Sequence, residues 1–411
     1  MNILLVNHYA GTPALGMEYR PYDLAREWVR LGHRVLIAAA SHSHVRARQP
    51  NLAGKVADEE LEGIAYRWYA TPPYRGNGLG RVRNIAAFLS ALWRDTPRLV
   101  REFAPDVVIA SSTYPMDIWV ARRLARRCSA KLIYEVHDLW PLSLIELSGM
   151  SRRHPFIMLV QAAEDAAYRD ADIVISMLPK VREYMASHGL DLARLHVVPN
   201  GIAPDEWAGE PAALRSDVLA AIERARASGS VPPLLVGYAG SMGLPNALDT
   251  LLDAAAQLRG EPFAFVLVGS GHERQRLVQR IADEKLGAVH LLPPIPKAQL
   301  RTLLAHFDIA YIGWQHQPLY RFGIAPNKLM DYMMAARPVL HSVQAGNDPV
   351  AEARCGLTVP PQDAAAVAAG LRRLGAVPGA ERAAMGERGR GFVMAHHLYP
   401  VLARRFLEAL A

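Results

Sequence analysis

Short apolar runs alternate with helix-period stretches along nearly all of this chain, and they do so in two series. The first series is Asn2–Asn7, Arg34–Ala39, Ala65–Tyr69, Val107–Ala110, Leu132–Glu135, Ile173–Ser176 and His196–Val198. The second is Leu234–Ala239, Phe263–Val268, Val289–Leu292, Ile309–Ile312, Val339–His341 and Leu357–Val359. Runs of this length separated by helices predict parallel β/α/β layering, in which each crossover helix covers one face of a sheet. Between the series, from Ala203 to Pro233, the pattern lapses into Pro, Gly, Ala, Ser and charges. A chain of 411 residues is too long for one core. We therefore expect two doubly wound α/β domains, residues 1–199 and 200–398, joined near Asn200–Pro233. The last helical pattern, Tyr399–Leu410, follows a break at His396–Pro400, and a helix over 399–411 is expected to cross back onto the first domain.

Composition narrows the class. Half the residues are apolar and a fifth charged, as in a water-soluble globular protein. No apolar run reaches the roughly 18 residues that span a bilayer, and the N-terminus reads as a strand without the basic flank of a signal peptide. Cys128 and Cys355 lie far apart and form no metal pattern, which fits a reduced, cytoplasmic setting. The net charge of +7 is concentrated: Arg75 to Lys131 holds eleven basic residues and four acids, an excess equal to that of the whole chain. Such a region suits an anionic partner, or else is a solvated Arg-rich face.

In open parallel sheets ligands sit beyond the carboxyl ends of the strands, so the loops there carry the chemistry. The first, "NHYAGTPALGMEYRP", exceeds a plain connection of about 2–6 residues. Gly16 and Met17 lead into a helix whose amides suit a phosphate, and Arg20 near that helix start is expected to help hold the anion. In the second, "YEVHDLWP", His137 follows a strand as a proton shuttle or polar contact, and Asp138 orients it or binds a hydroxyl. Trp140 offers an apolar plate there. Glu18, Tyr19 and Trp140 are the expected acceptor contacts.

The third loop has Gly240, Ser241, Gly243 and Asn246 between strand and helix, a phosphate cradle or an ordinary tight turn. The fourth has Gly269 and Gly271, but Arg274 stands where a dinucleotide fingerprint needs its third glycine. In the fifth, "IAPNKLMDYMM", Pro326 fits a first helical turn, followed by Asn327, Lys328 and Asp331. A lysine at a helix start opposes the dipole unless an anion binds there, and Lys328 is one of six lysines in the chain. Lys328 and Asp331 share a helix face, as a diphosphate ligand above a diol acceptor or as an intrahelical ion pair.

Taken in order, the glycine loop before "LAREWVRLGHRV", the "PNGI" turn at Pro199–Ile202, the loop at Gly269 and "NKLMDYMMAARPVL" resemble family 4 nucleotide-sugar glycosyltransferases of the GT-B fold over nearly the whole chain. "NHYAGTPALGMEYRPYDLA" and "YEVHDLWP" look most like bacterial O-antigen and capsule enzymes, including N-acetyl-L-fucosaminyltransferases. The resemblance implies two Rossmann-like domains facing across a cleft and a retaining transfer from a UDP-sugar with neither metal nor cofactor. It places base and ribose at Gly269–Gly271 and at the Pro294–Lys297 turn, including Ile295. Asp331 matches the second acid of the family's Glu-x₇-Glu motif, His137 a histidine beside the donor sugar, and Gly16 a glycine that approaches the phosphate. Two departures stand out. The first acid of that motif falls at Gly323, and the family's diphosphate-clamping Arg and Lys after the first strand of the second domain have no counterparts, so Lys328 is expected to supply the charge.

The implied acceptor is a membrane-lipid-linked saccharide in surface polysaccharide synthesis. The protein is then expected in the cytoplasm, attached to the inner membrane through the basic 75–131 region, with "GRVRNIAAFLSALWRDTPRLVREF" as an amphipathic helix on the lipid or packed on its own sheet. Glu135 and Asp138 keep a double-displacement route open. The rival is a UDP-sugar epimerase or hydrolase of the same fold. Nucleic acid is not an expected partner, since no binding motif accompanies the basic patch.

Overall fold

The computed structural model describes residues 1–16, 19–76, 78–227 and 231–410. They form two compact units, 1–200 with 399–411, and 201–398.

The sheet of the first unit has eight strands: β1 (Asn2–Val6), β2 (Arg34–Ala40), β3 (Val56–Leu61), β4 (Ile64–Tyr69), β5 (Val107–Ala110), β6 (Lys131–Val136), β7 (Ile173–Ser176) and β8 (Leu195–Val197). Their spatial order is β3-β4-β2-β1-β5-β6-β7-β8. All neighbours are parallel except β3 and β4. The order reverses between β1 and β5, and such a switch point opens a crevice at the carboxyl ends of those two strands. Ile3 to Val6 are buried, which is why β1 reads as one continuous apolar run.

The expected series lacked β3. Its sequence, VADEEL, is acid-rich and lies on the sheet edge, where charges block further pairing. A two-residue turn at Glu62 (φ +50°) and Gly63 (φ +78°) joins it to β4, the positive-φ geometry that matches strand twist. Arg67 and Trp68 of β4 donate to Asp58 (2.6 Å) and Glu59 (2.8 Å) of the edge strand.

The second unit has β9 (Leu234–Ala239), β10 (Phe263–Val268), β11 (Val289–Leu292), β12 (Ile309–Gly313), β13 (Val339–Ser342) and β14 (Gly356–Val359), ordered β11-β10-β9-β12-β13-β14 and parallel throughout. Side chains alternate between two cores, Leu235, Val266 and Ile312 on one face and Val236, Phe265 and Tyr311 on the other. The order switches between β9 and β12. The patternless stretch after Ala203 contains a helix, Ser216–Arg226, which buries Val218, Ile222 and Ala225 against the first of these cores.

The helix Leu79–Glu102 turns Ile85, Phe88, Leu92 and Leu99 inward, and packs on β2, β4 and the helix Ile118–Cys128. Its apolar stripe is therefore core: of the two placements expected for this helix, packing on its own sheet is the one observed. Arginines of the basic region are partly neutralised: Arg98 pairs with Asp58 and Glu102, and Arg122 with Asp170, while Arg123 stacks 4.1 Å from the Trp93 ring centroid.

The final helix, Tyr399–Glu408, belongs to the first unit. Trp28 donates its indole N–H to the Ala403 carbonyl (3.2 Å), and the Phe406 ring meets Trp28 edge-on at 5.0 Å. Both rings are fully buried. Truncating Phe406 to Ala should lower the first unit's stability by about 3–5 kcal/mol through lost burial and an unfilled cavity, visible in calorimetry as an earlier first transition. An unchanged thermogram would mean that this helix does not hold the unit together.

Candidate functional site

In the first unit the carboxyl ends of β1, β5 and β6 bring together Asn7, Ser111, Glu135 and His137. Arg20, the first residue of the helix Arg20–Arg30, reaches down to Glu135 with Nε at 3.0 Å and Nη2 at 2.8 Å. It also donates to the carbonyls of Val198 (2.9 Å) and Pro199 (2.7 Å). Both partners of this ion pair are 1% exposed. Arg20 is therefore an internal counter-ion, and its expected role of holding a phosphate is corrected. Burial alone would raise the Glu135 carboxyl, but the Arg20 charge, with hydrogen bonds from His137 and Ser111, holds it well below the usual carboxylate range. So enclosed, Glu135 is not a nucleophile facing a substrate.

His137 places Nε2 at 3.0 Å from Ser111 Oγ and 3.3 Å from Glu135 Oε2. Asp138 does not orient it. Among the described residues it makes no hydrogen bond to His137; its Oδ1 accepts from the Leu139 amide (2.8 Å), and burial pushes its carboxyl up. Trp140, before a cis bond to Pro141, is 7% exposed and packs with Ile85, Met116 and Val160 beneath the Arg81 guanidinium. An apolar plate open to an acceptor is thus not what Trp140 provides. Tyr19 precedes the helix and is half-buried; Met17 and Glu18 lie outside the described residues. Gly16 takes φ +89° and bridges to Thr12, closing the opening loop on itself. His8 of that loop also points inward, bonded to the Tyr114 hydroxyl at 2.7 Å, and burial lowers its pKa to about 3.

In the second unit a cavity of about 350 Å³ opens at the carboxyl ends of β9 and β10. Gly240, Gly269, Ile295, Lys328 and Asp331 line it. A Cβ at Gly269 would lie 1.9 Å from the Gly240 carbonyl, and one at Gly240 would lie 2.7 Å from Lys328 Cε, so glycine is needed at both. Lys328, second residue of the helix Asn327–Met334, donates Nζ to the Tyr238 hydroxyl (2.7 Å) and to Asn246 Oδ1 (3.0 Å). The same nitrogen sits 4.1 Å from the Tyr238 ring centroid. Burial lowers the Lys328 pKa to about 7. Asp331, one turn deeper, makes no side-chain hydrogen bond among the described residues, and burial raises its pKa to about 7. Lys328 and Asp331 are thus not an intrahelical ion pair.

Ser241, Gly243, Gly271 and Asn327 flank this cavity in sequence without lining it. Ser241 takes the Tyr238 hydroxyl proton on its carbonyl, Gly271 packs on the Met242 backbone, and Asn327 is exposed. Tyr238 was missed because a tyrosine inside an apolar strand reads as core; its position two residues before Gly240 was the available signal. A cation, first-turn amides and glycine strand ends suit a diphosphate, and a carboxyl group deeper in the cavity, without a side-chain partner among the described residues, suits a diol.

Two family models match the chain in succession: "Glycosyl transferase 4-like domain" over residues 16–201 and "Glycosyl transferases group 1" over 233–376. This chain is a glycosyltransferase of GT-B type. Among curated proteins, the putative colanic acid biosynthesis glycosyl transferase WcaI of Escherichia coli K12 is 22% identical over 363 residues, 84% of this chain and 86% of that one. Sucrose-phosphate synthase from Thermosynechococcus elongatus superposes with a TM-score of 0.71 at 20% identity, covering 99% of this chain and 97% of that one. Anabaena HepE in complex with UDP-glucose superposes with a TM-score of 0.64 at 15% identity, covering 99% and 98%. These likenesses show the fold.

In this glycosyltransferase Gly323, the position where the resemblance led us to expect the motif's first acid, takes φ +102°, and the following amide, Ile324 N–H, donates to Asn347 Oδ1 at 2.7 Å. Because its folded pKa (about 7) lies above the ordinary 3.8, native Asp331 holds a proton that the unfolded chain releases. That stabilising contribution is complete below the lower value and is lost as pH climbs towards 7. Asp331→Asn should consequently melt above the wild type at pH 8, with the gap closing by pH 4. A pH-independent difference in melting temperature would refute the burial of this carboxyl.

Proposed function

We propose that this glycosyltransferase moves a sugar, with retention, from a UDP-sugar to a lipid-linked saccharide in surface polysaccharide synthesis. The observation that carries the reading is the cavity holding Lys328 and Asp331. The diphosphate is assigned to Lys328 and the first-turn amides, and the ribose diol to Asp331 beside Ile295. The WcaI relative is named for colanic acid biosynthesis, and HepE was solved with UDP-glucose. The first name supports a glycan product and the second a nucleotide-sugar donor. The donor sugar in this reading is an N-acetylated hexosamine such as L-FucNAc.

The chemistry follows from charge. As the bond from C1 to the diphosphate oxygen breaks, positive charge grows on the sugar ring and negative charge on the leaving group. The Lys328 ammonium and helix amides stabilise the departing oxygens, the role that lets the reaction proceed without a metal ion in this reading. The acceptor oxygen forms its bond to C1 on the same face, and its proton passes to the leaving phosphate. His137 contacts sugar hydroxyls.

Attachment to the inner membrane from the cytoplasmic side is part of the proposal. Among the described residues no helix is long and apolar enough to cross a membrane. Lipid contact is assigned to outward groups: the unpaired part of the basic region, Leu79 (86% exposed), and the segment Leu147–Leu159, which exposes Met158, Arg152 and Arg153. Binding to vesicles of anionic lipid should weaken as salt rises; salt-independent binding, or none, would remove this element.

The direct test is incubation with UDP-N-acetylhexosamines and a polyprenyl-diphosphate saccharide. Sugar should reach the acceptor, whereas an epimerase or hydrolase would consume donor without it. Lys328→Ala should lower turnover by roughly 10²–10³-fold, the size of effect seen when a group stabilising a developing charge is removed. Since burial holds free Lys328 near pKa 7, binding UDP above that pH requires proton uptake. UDP affinity should thus fall by up to about tenfold per pH unit above 7. Calorimetry in buffers of different ionisation enthalpy reads the proton uptake, and affinity flat from pH 7 to 9 would sink the assignment of Lys328.

A further inference from the structure

The protons around Ser111 can be counted. Asn7 has a fixed amide orientation, because its Oδ1 accepts from the Tyr9 amide at 3.0 Å and its Nδ2 donates to the Ser111 carbonyl at 2.6 Å. The same Nδ2 is 3.2 Å from Ser111 Oγ and donates to it as well. Glu135 is ionised against Arg20 and can only accept, so the single hydroxyl proton of Ser111 goes to Glu135 Oε2 at 2.6 Å. One lone pair of Ser111 Oγ remains, and it faces His137 Nε2 at 3.0 Å. Glu135 Oε2, the other group near that nitrogen, is also an acceptor. Two acceptors converge on Nε2, so Nε2 must carry hydrogen. The other ring nitrogen, Nδ1, has no hydrogen bond among the described residues.

We infer that Ser111 and Glu135 are positioning residues that fix hydrogen on His137 Nε2, so that the ring, whenever it is neutral, offers Nδ1 as a hydrogen-bond acceptor to a hydroxyl of the substrate sugar. The part concerning substrate rests on the proposed function; the tautomer does not. Three separate strands contribute: the end of β1 supplies Asn7, that of β5 Ser111, and β6 with its following loop Glu135 and His137. Arg20 completes the chain by keeping Glu135 charged. A ring fixed in this way presents one lone pair in one direction, which orients a bound hydroxyl more sharply than a freely rotating imidazole.

The full-length protein labelled with ¹⁵N-histidine tests this in long-range ¹H–¹⁵N correlation spectra, with the His137 signals assigned by their loss in His137→Gln. Wild-type His137 should show Nε2–H and an unprotonated Nδ1 when neutral. Ser111→Ala should give a mixture of tautomers and lower turnover of the best UDP-N-acetylhexosamine donor by about tenfold, with its KM little changed. Ser111→Thr, which keeps the hydroxyl, should restore both. Glu135→Gln opposes Nε2 with an amide N–H and should favour Nδ1–H; if it does not fold, the Ser111 pair decides. A wild-type Nδ1–H signal, or Ser111→Ala with unaltered tautomer and turnover, overturns the inference. If the tautomers behave as expected but His137→Gln keeps full turnover, the substrate contact falls and the tautomer assignment stands.

Discussion

An ammonium group at the start of a helix and half withdrawn from water is unfavourable on two counts. It loses hydration, and it meets the positive end of the helix dipole. Lys328 is held there nonetheless. The Tyr238 ring and hydroxyl, Asn246 Oδ1 and the absent side chain of Gly240 together form its seat. Neutral partners of this kind fix the position of the nitrogen but do not compensate its charge, which is why its proton is held weakly near neutrality. In the proposed function the remaining compensation comes from the diphosphate of the donor. The architecture of the second unit, with strand ends that approach because they are glycine, serves to leave that space open.

The first unit solves the opposite problem. Arg20 and Glu135 are fully buried, and here the charges compensate one another inside the protein. Deleting one partner of such a pair costs about 3–5 kcal/mol, because the other is left charged and unpaired. A buried pair is a weak source of net stability, so its retention is better understood through what hangs on it. The ionised Glu135 fixes the Ser111 proton, and Ser111 with Glu135 fixes the ring of His137. The pair also ties the helix after the opening loop to the carbonyls that end the last strand of this sheet.

What was readable in the sequence follows from where side chains lie. β10, FAFVLV, is covered on both faces and has no alternative reading. β3 escaped because an edge strand carries acids where a core strand carries valine. The helix Ser216–Arg226 does have apolar residues at helical spacing, Val218, Ile222 and Ala225, but alanine-rich, charged surroundings diluted the signal. Lys328 could be singled out because its chemistry conflicts locally with a helix start. Arg20 was misread for the converse reason: next to a helix start it looks like an anion ligand, and the carboxylate that claims it lies 115 residues away. Trp140 likewise depends on Arg81 and a core built from other segments. Local conflict is visible in one dimension; long-range satisfaction is not.

Gly323 occupies the position where the resemblance led us to expect an acid, and its backbone bears on that difference. Its φ of +102° is one that an L-residue avoids, so a carboxylate is not simply missing from an otherwise compatible backbone. The adjoining loop is held by main-chain and amide contacts instead. The amides of Gly323 and Gly346 both donate to the Tyr320 carbonyl, at 2.9 and 2.8 Å, while Asn347 accepts from the Ile324 amide and donates to its carbonyl. Gly346 is required there too, since a Cβ would lie 2.1 Å from the Arg321 carbonyl. Two glycines and an asparagine thus close this loop on itself, and none of the three brings a charge to the approach to the helix bearing Lys328. In the proposed function, where a diphosphate lies against Lys328, a neutral residue at position 323 keeps the local charge balance on the side that favours an anion.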